Sequence, residues 1–251
     1  MPNNQEQILE YWNRNDVESM YDKHLLNAEI ELIKARIPPN AKVLDAGCGE
    51  GEGTFIYSTI PGVEVHAVDF SETRLRKAAE RLSGRNNVIL KRVNFLEQYC
   101  LDKDFDVIVS QRFLINLRQW RLQKKVLLDL MQMLKAGSGK LIMLEGSKQG
   151  VESLNQVRSA WGLDPIPIKW HNLFFDDDRL VEFMYNHGYK SVEQDGLGTY
   201  FFLTRGVRPN LDRELNWDCE FNQVAATRQM EKLLKCGTRF SRLKLWVFTV
   251  A

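Results

Sequence analysis

No stretch of this 251-residue sequence strings together the ~20 apolar residues that would cross a bilayer. Cysteine is sparse: Cys48, Cys100, Cys219 and Cys236 stand far apart and form no C-x-x-C pair, which excludes a zinc ribbon or a disulfide framework and suits reduced thiols. No His/Asp/Glu cluster with ligand spacing suggests a metal. Neither sign of charge is in excess, with 34 Lys+Arg against 33 Asp+Glu and a formal net charge of +1. A nucleic-acid partner is therefore not expected, since such binders carry a basic excess or stripe. The opening residues Pro2–Gln7 are polar and lack a signal-peptide core, so a cytoplasmic protein with no membrane contact is expected. What the chain has is a 44% hydrophobic content, six Trp, seven Tyr and thirteen Phe, enough to build a core and line a pocket.

Short β-branched runs alternate with longer amphipathic segments, the pattern of a mostly parallel sheet flanked by helices. The expected strands are Lys42–Ala46, Val63–Val68, Val88–Val93, Phe105–Ser110 and Gly139–Leu144, with apolar closing segments Val192–Leu203 and Leu243–Val250. Helices are expected at Glu6–Met20, Leu25–Ile37, Gly53–Thr59, Glu72–Leu82, Leu117–Leu134, Glu152–Trp161, Asp178–Asn186 and Phe221–Leu234. The absence of repeats and low-complexity tracts favours one α/β domain. Its parts are an N-terminal helical cap (1–37), a core (38–145), a lid (146–176) and an insertion (205–241).

The strongest signal is the turn leaving the first strand, Asp45-Ala46-Gly47-Cys48-Gly49-Glu50-Gly51. Glycine at alternate positions lets the backbone turn sharply and leaves bare main chain for a ligand. A P-loop is excluded because no Gly-Lys-Ser/Thr follows. A dinucleotide fingerprint fails too, since its last glycine falls on Glu52 or Thr54. Glu50 and Glu52 would also repel a pyrophosphate, so the acidic turn suits a cationic ligand. Asp69 ends the second strand 18 positions after Gly51, close to the spacing of ~20 for an acid that accepts from ribose hydroxyls. Its alternative role is to cap the helix that follows.

These residues resemble the class I S-adenosylmethionine-dependent methyltransferases, with Val43–Gly51 as the first motif and Asp69 as the second. The resemblance implies a Rossmann-like seven-stranded sheet whose last strand is antiparallel, and S-adenosyl-L-methionine as cofactor. It implies cofactor contacts from Asp45, Gly47, Cys48, Gly49, Gly51, Asp69 and Phe70. By the same analogy Asn94 and Phe95 sit at the adenine and Gln111 beside the methionine part. Many relatives carry Asp where this chain has Asn94, whose side-chain carbonyl can still accept from the adenine amino group.

The loops after strands four and five should face the substrate. Arg112 reads equally as a clamp for a substrate anion or as the partner of a nearby acid such as Glu145, itself a candidate catalytic group. Asn116 reads as a cap of the helix beginning at Leu117. Tyr21, Asn155, Arg158 and His171 are candidate substrate contacts, and His171 is the candidate general base, with a structural role as the alternative. Tyr11, Trp12 and Tyr21 are expected to close over the cofactor. The series Arg112, Asn116, Trp120, Glu145, Asn155, Arg158, His171 and Asn172 is similar to bacterial methyltransferases of surface-glycan or small-metabolite gene clusters. The expected reaction is in-line methyl transfer to an oxygen or nitrogen of a polar small molecule, a sugar or an anionic metabolite, by a monomer or homodimer. Methylation of RNA or protein is the alternative; the Ser110-Gln111-Arg112-Phe113 segment lacks the Asn/Asp-Pro-Pro-aromatic motif of amino-methylating nucleic-acid enzymes. A binding module that keeps the fold without catalysis is the third reading.

Overall fold

The computed structural model describes residues 4–18, 20–212, 214 and 216–251. In chain order the elements are α1 (Asn4–Asn13), α2 (Lys23–Lys34), β1 (Lys42–Ala46), α3 (Glu52–Tyr57), β2 (Glu64–Asp69), α4 (Glu72–Arg81), β3 (Val88–Arg92), β4 (Val107–Gln111), α5 (Trp120–Met131), β5 (Lys140–Gly146), α6 (Lys148–Ala160), α7 (Asp177–Asn186), β6 (Tyr189–Gly196), α8 (Gly198–Phe201), α9 (Glu220–Ala225), α10 (Arg228–Leu234) and β7 (Leu243–Val250). The strands form one seven-stranded sheet in the order β3-β2-β1-β4-β5-β7-β6. The pairs from β3 through β5 are parallel, and β7 runs antiparallel to both β5 and β6.

The central strands read as unbroken apolar runs because helices cover both faces. Alternation then sorts their side chains into two layers. Val43, Val65, Val107, Val109 and Ile142 face α2 with Leu26, Ile30 and Ile33. Leu44, Val68, Ile108, Leu141 and Met143 face α5 and α7 with Val126, Leu127, Leu130, Leu180 and Met184. The parallel strands all point their carboxyl ends to one edge, and strand order reverses between β1 and β4, which is where such sheets hold ligands.

Several expected boundaries move for local reasons. The expected helix Glu6–Met20 ends at Asn13, where Arg14–Asp16 turn away; Ser19 within it lies outside the described residues, as do Arg213 and Leu215 in the insertion. Polar side chains such as Asn13, Asn15 and Asp16 compete with the helix for its own backbone groups. The expected helix from Leu117 starts only at Trp120, after a 3-10 turn at Leu114–Asn116. Asn116 is thus no helix cap. The segment Val192–Leu203 is not one strand: Gly198 N–H donates to Gly237 O at 2.9 Å and Leu197 N–H to Ser241 Oγ at 2.7 Å, which pulls the chain out of the sheet and into α8. The insertion helix is two helices, α9 and α10, because Thr227 breaks it and caps the second through Met230 N–H.

Candidate functional site

The turn after β1 is held from below and from the side. Gly47 and Cys48 N–H both donate to Val68 O, at 2.8 and 3.0 Å, tying the turn to the end of β2. Gly47, Gly49 and Gly51 all take positive φ, at 76°, 56° and 78°. For Gly47 the reason is also space, since a Cβ there would lie 2.6 Å from the Phe113 side chain. Gly49 is different: a Cβ would meet nothing within 4 Å, because this glycine faces an open cavity.

That cavity encloses about 1150 Å³, its open mouth included, and lies over the carboxyl ends of β1, β2 and β4. Asp45, Gly47, Cys48, Gly49, Asp69, Phe70, Asn94, Phe95 and Gln111 all line it. Of the expected cofactor contacts only Gly51 does not, being the residue that enters α3 with its Cα packed toward Ala78 and Leu82. Ile8, Leu9 and Trp12 of α1 close its roof. Trp12 O accepts from Arg74 Nε at 3.2 Å and from Ser71 Oγ at 3.3 Å, which latches α1 to the start of α4.

Asp69 does two jobs. Its carboxylate accepts from Gly49 N–H at 3.0 Å and from Ser71 N–H at 2.9 Å, so it braces the glycine turn and orders the entry to α4, where Ser71 is the cap proper. Burial pushes its carboxyl up from the usual range, opposed by those two N–H donors. Asp45 is pushed up to about 6, chiefly by burial, while Thr54 Oγ1 donating at 2.6 Å works the other way. The Cys48 thiol is raised by burial and by the two aspartates, so it stays protonated and is no nucleophile. Asn94 Oδ1 accepts from Leu96 N–H at 3.1 Å, and its amide donates to Glu97 at 2.7 Å. One lone pair of that carbonyl remains for a ligand.

The acids of the turn itself are not where the sequence argument put their charge. Glu50 is bound by Arg74 and by Lys77 Nζ at 3.0 Å, and Glu52 stands 3.4 Å from Arg81. The acidic character left at the cavity comes from Asp45 and Asp69. Its two lining arginines are held by carboxylates, Arg74 by Glu50 and Arg112 by Glu29. A lining of two strand-end aspartates, bare glycine backbone and apolar faces fits a cationic nucleoside without phosphate better than a dinucleotide.

A second cavity opens on the far side of Trp12, Arg112 and Asn116, the three residues that line both. Trp12 Nε1 donates to Asn116 Oδ1 at 3.2 Å, and Asn172 Nδ2 donates to the same oxygen at 3.2 Å. Tyr21 and His171 line this cavity as expected. His171 is 4% exposed and lies in an aromatic cage, stacked on Tyr11 at 4.9 Å with Trp12 and Trp170 edge-on. Burial pulls it down to about 4, so the ring is neutral at physiological pH.

Besides Gly51, three of the expected site residues are in neither cavity: Glu145, Asn155 and Arg158. Glu145 is fully buried and accepts from Ser110 Oγ at 2.6 Å and from the N–H groups of Phe113, Leu114 and Ile115 at 3.0, 2.9 and 3.1 Å. It shapes the loop after β4 through these bonds, and the carboxylate that Arg112 meets is Glu29. Asn155 Oδ1 accepts from Ile166 N–H at 2.8 Å, and Arg158 Nε donates to Asp164 O at 2.7 Å. Both pin the segment after α6 and neither reaches a cavity.

The acid that holds Arg112 is Glu29 of α2, which the sequence reading passed over. It occupies the apolar spacing Leu25, Glu29, Ile33, and a charge on the buried stripe of an amphipathic helix was the available signal. Asp22, Lys169, Arg205 and Arg242 also line the second cavity without having been singled out; they come from four separate segments, and no spacing links them.

Residues 43–138 match the family model described as "Methyltransferase domain". Among curated proteins the chain is 31% identical over 136 residues to the ubiquinone/menaquinone biosynthesis C-methyltransferase UbiE of Vibrio parahaemolyticus, covering 51% of this chain and 50% of that one. It is 32% identical over 78 residues to the phosphoethanolamine N-methyltransferase of Plasmodium falciparum, covering 31% of this chain and 29% of that one. The matches thus span half or less of those relatives' length. Among solved structures, Haemonchus contortus phosphoethanolamine N-methyltransferase 1, in complex with phosphoethanolamine and S-adenosylhomocysteine, aligns with a TM-score of 0.66 at 16% identity over 99% of this chain and 49% of that one. Strand order and the family match agree: residues 43–138 match a methyltransferase domain, and the sheet around them has the Rossmann-like fold of the S-adenosylmethionine-dependent methyltransferases.

Proposed function

We propose that the chain transfers the methyl group of S-adenosylmethionine to an oxygen or nitrogen of a polar small molecule seated in the second cavity. The observation that carries this reading is the shared wall. Trp12, Arg112 and Asn116 line both the donor cavity and its neighbour, so a donor methyl on one side can meet an acceptor on the other. The bound cofactor supplies an electrophilic methyl on a positive sulfur, and transfer needs an acceptor lone pair in line with the breaking C–S bond. The chain's own work is then positioning and removal of one proton. Asp45, Asp69 and the Gly47–Gly49 backbone hold the nucleoside side, Phe70, Asn94 and Phe95 the base, and Gln111 the amino-acid end. His171, neutral and in the second cavity, receives the acceptor's hydrogen bond and accepts its proton or relays it to solvent.

The second cavity draws on the cap (Tyr11, Trp12, Tyr21, Asp22), the lid (Lys169, His171, Asn172), the insertion (Arg205, Trp217) and Arg242. This is the arrangement of one domain whose additions enclose the acceptor. Its mixture of rings with charged heads favours a polar acceptor over C-methyl transfer to an apolar quinone, the reaction named for the UbiE relative. Among the described residues no helix is long and apolar enough to cross a membrane. The test is production of S-adenosylhomocysteine from S-adenosylmethionine with a panel of phosphorylated amines, amino acids, sugars and quinols. Turnover with polar acceptors supports the reading; turnover confined to quinols overturns it.

A further inference from the structure

The second cavity is lined by four cations, Arg112, Lys169, Arg205 and Arg242, against two acids, Glu18 and Asp22. Those acids are already engaged. Glu18 pairs with Lys23 at 2.7 Å. Asp22 takes Arg205, the Tyr200 hydroxyl at 2.7 Å and Leu25 N–H at 3.1 Å. Arg112 pairs with Glu29, outside the cavity. Lys169 and Arg242 are left with no carboxylate partner among the described residues; the charges acting on Lys169 are those of Arg242 and Arg112, and those acting on Arg242 are those of Arg205 and Arg112.

Clustering cations is unfavourable, because like charge works against the ionised forms, as does burial at the partly buried Arg242; Lys169 stands exposed at the cavity's edge. Burial and its cationic neighbours pull Arg242 down to about 10, and Lys169 falls for the same causes. Arg242 is nevertheless fixed in place. Its carbonyl accepts from Ser147 N–H at 3.0 Å, its guanidinium lies 5.3 Å over the Phe174 ring, and its Nη2 donates to Pro167 O at 3.4 Å. The last bond hooks the segment that carries Lys169. A planar guanidinium and an ammonium converging without a counter-ion, beside the wall that faces the methyl donor, make a cradle for an anion.

We propose that the acceptor carries an anionic group, a phosphate or a carboxylate, bound in the second cavity by Arg242 and Lys169 with Arg112 and Arg205 at its edges. The anion anchors the end of the acceptor remote from the reacting atom, which then reaches toward Trp12 and Asn116. This deepens the function proposed above and rests on it.

The test titrates the full chain, loaded with S-adenosylhomocysteine, with inorganic phosphate and separately with acetate at constant ionic strength set by chloride. Calorimetry and thermal shift are the readouts. At least one anion should bind and raise the melting temperature, and Arg242→Gln and Lys169→Gln should each weaken that binding about tenfold or more. Arg242→Lys, which keeps the charge on a similar stem, should keep part of it. Phosphate alone binding identifies a phosphorylated acceptor; equal binding of acetate identifies a carboxylate as sufficient. S-adenosylhomocysteine affinity should stay unchanged in the variants, since neither residue lines the donor cavity. Donor binding with no anion effect, or anion binding untouched by both Gln variants, overturns this proposal and leaves the methyl-transfer reading standing. Loss of donor binding in the unaltered chain overturns both.

Discussion

Glu29 Oε2 accepts from Gln111 Nε2 at 2.7 Å and stands 3.1 Å from Arg112 Nε, so one fully buried carboxylate on α2 fixes two consecutive residues at the end of β4. Gln111 faces the donor cavity and Arg112 divides it from the second, which places Glu29 behind both. Burial raises the Glu29 carboxyl, opposed by the Arg112 charge and the Gln111 amide, so the pair is held by geometry rather than by easy ionisation. Glu29→Ala should lower unfolding free energy by about 3 kcal/mol in a urea titration, because it removes the buried carboxylate that holds Gln111 and Arg112 and leaves a cavity in its place. Unchanged stability would show that the pair contributes nothing.

The glycines at 47 and 49 should separate folding from binding. Gly47→Ala puts a Cβ against Phe113 at positive φ, so it should lower the melting temperature markedly. Gly49→Ala meets open space, and its cost to the fold should stay near the ~1 kcal/mol of a left-handed non-glycine residue. Its methyl group enters the donor cavity, so S-adenosylhomocysteine affinity should fall about tenfold or more while the fold persists. Equal affinity in Gly49→Ala would remove the bare backbone from the ligand's path.

Stability should depend on pH through His171 with a definite sign. Its pKa falls from 6.5 to about 4 on folding, so between those values the unfolded chain binds a proton that the folded chain refuses. Its contribution is therefore intact above 6.5 and is lost as pH falls toward 4. Asp45 and Glu145, pushed up to about 6 and about 7, act in the opposite sense, losing stability as pH rises through those values. The difference in melting temperature between the unaltered chain and His171→Phe isolates the histidine, and it should shrink as pH falls from 6.5 to 4. A constant difference across that window would mean that the ring is not held neutral. Separately, His171→Ala should lower turnover far more than donor affinity.

Glu145 should behave as a strut. With four donors converging on its carboxylate, Glu145→Gln replaces an acceptor with a donor facing a backbone N–H and should cost about 2–3 kcal/mol. Turnover should fall in proportion to disorder of the loop carrying Arg112 and Asn116, and the pH profile of whatever turnover remains should keep its shape. A profile that loses one limb would restore Glu145 as a proton-transfer group.

The lining of the first cavity was legible because it is local. Asp45 to Gly51 and Asp69 lie at strand ends whose spacing the sheet dictates, and backbone conformation there demands glycine. The same locality misled about charge: Glu50 and Glu52 look exposed to a ligand in sequence, yet α4 supplies Arg74, Lys77 and Arg81 to meet them. The second cavity was largely illegible. Asp22, Lys169, Arg205 and Arg242 converge only after the cap, the lid, the insertion and the turn before β7 have packed together. Asn155 and Arg158 looked like pocket residues because they are polar among aromatics, and they spend that polarity on the loop after α6. That three backbone N–H groups turn toward Glu145 is likewise not written in the residue itself.

Asp69 braces the glycine turn at the wall of the first cavity, and calorimetric titration of S-adenosylhomocysteine into the unaltered chain and into Asp69→Ala tests the proposed donor site most directly. The account predicts one equivalent bound by the unaltered chain with micromolar affinity, about −7 to −8 kcal/mol, weakened by at least about 1.4 kcal/mol in the variant. The variant should also melt lower, since Gly49 and Ser71 lose their acceptor. No heat from the unaltered chain, or identical affinity in Asp69→Ala, would contradict it.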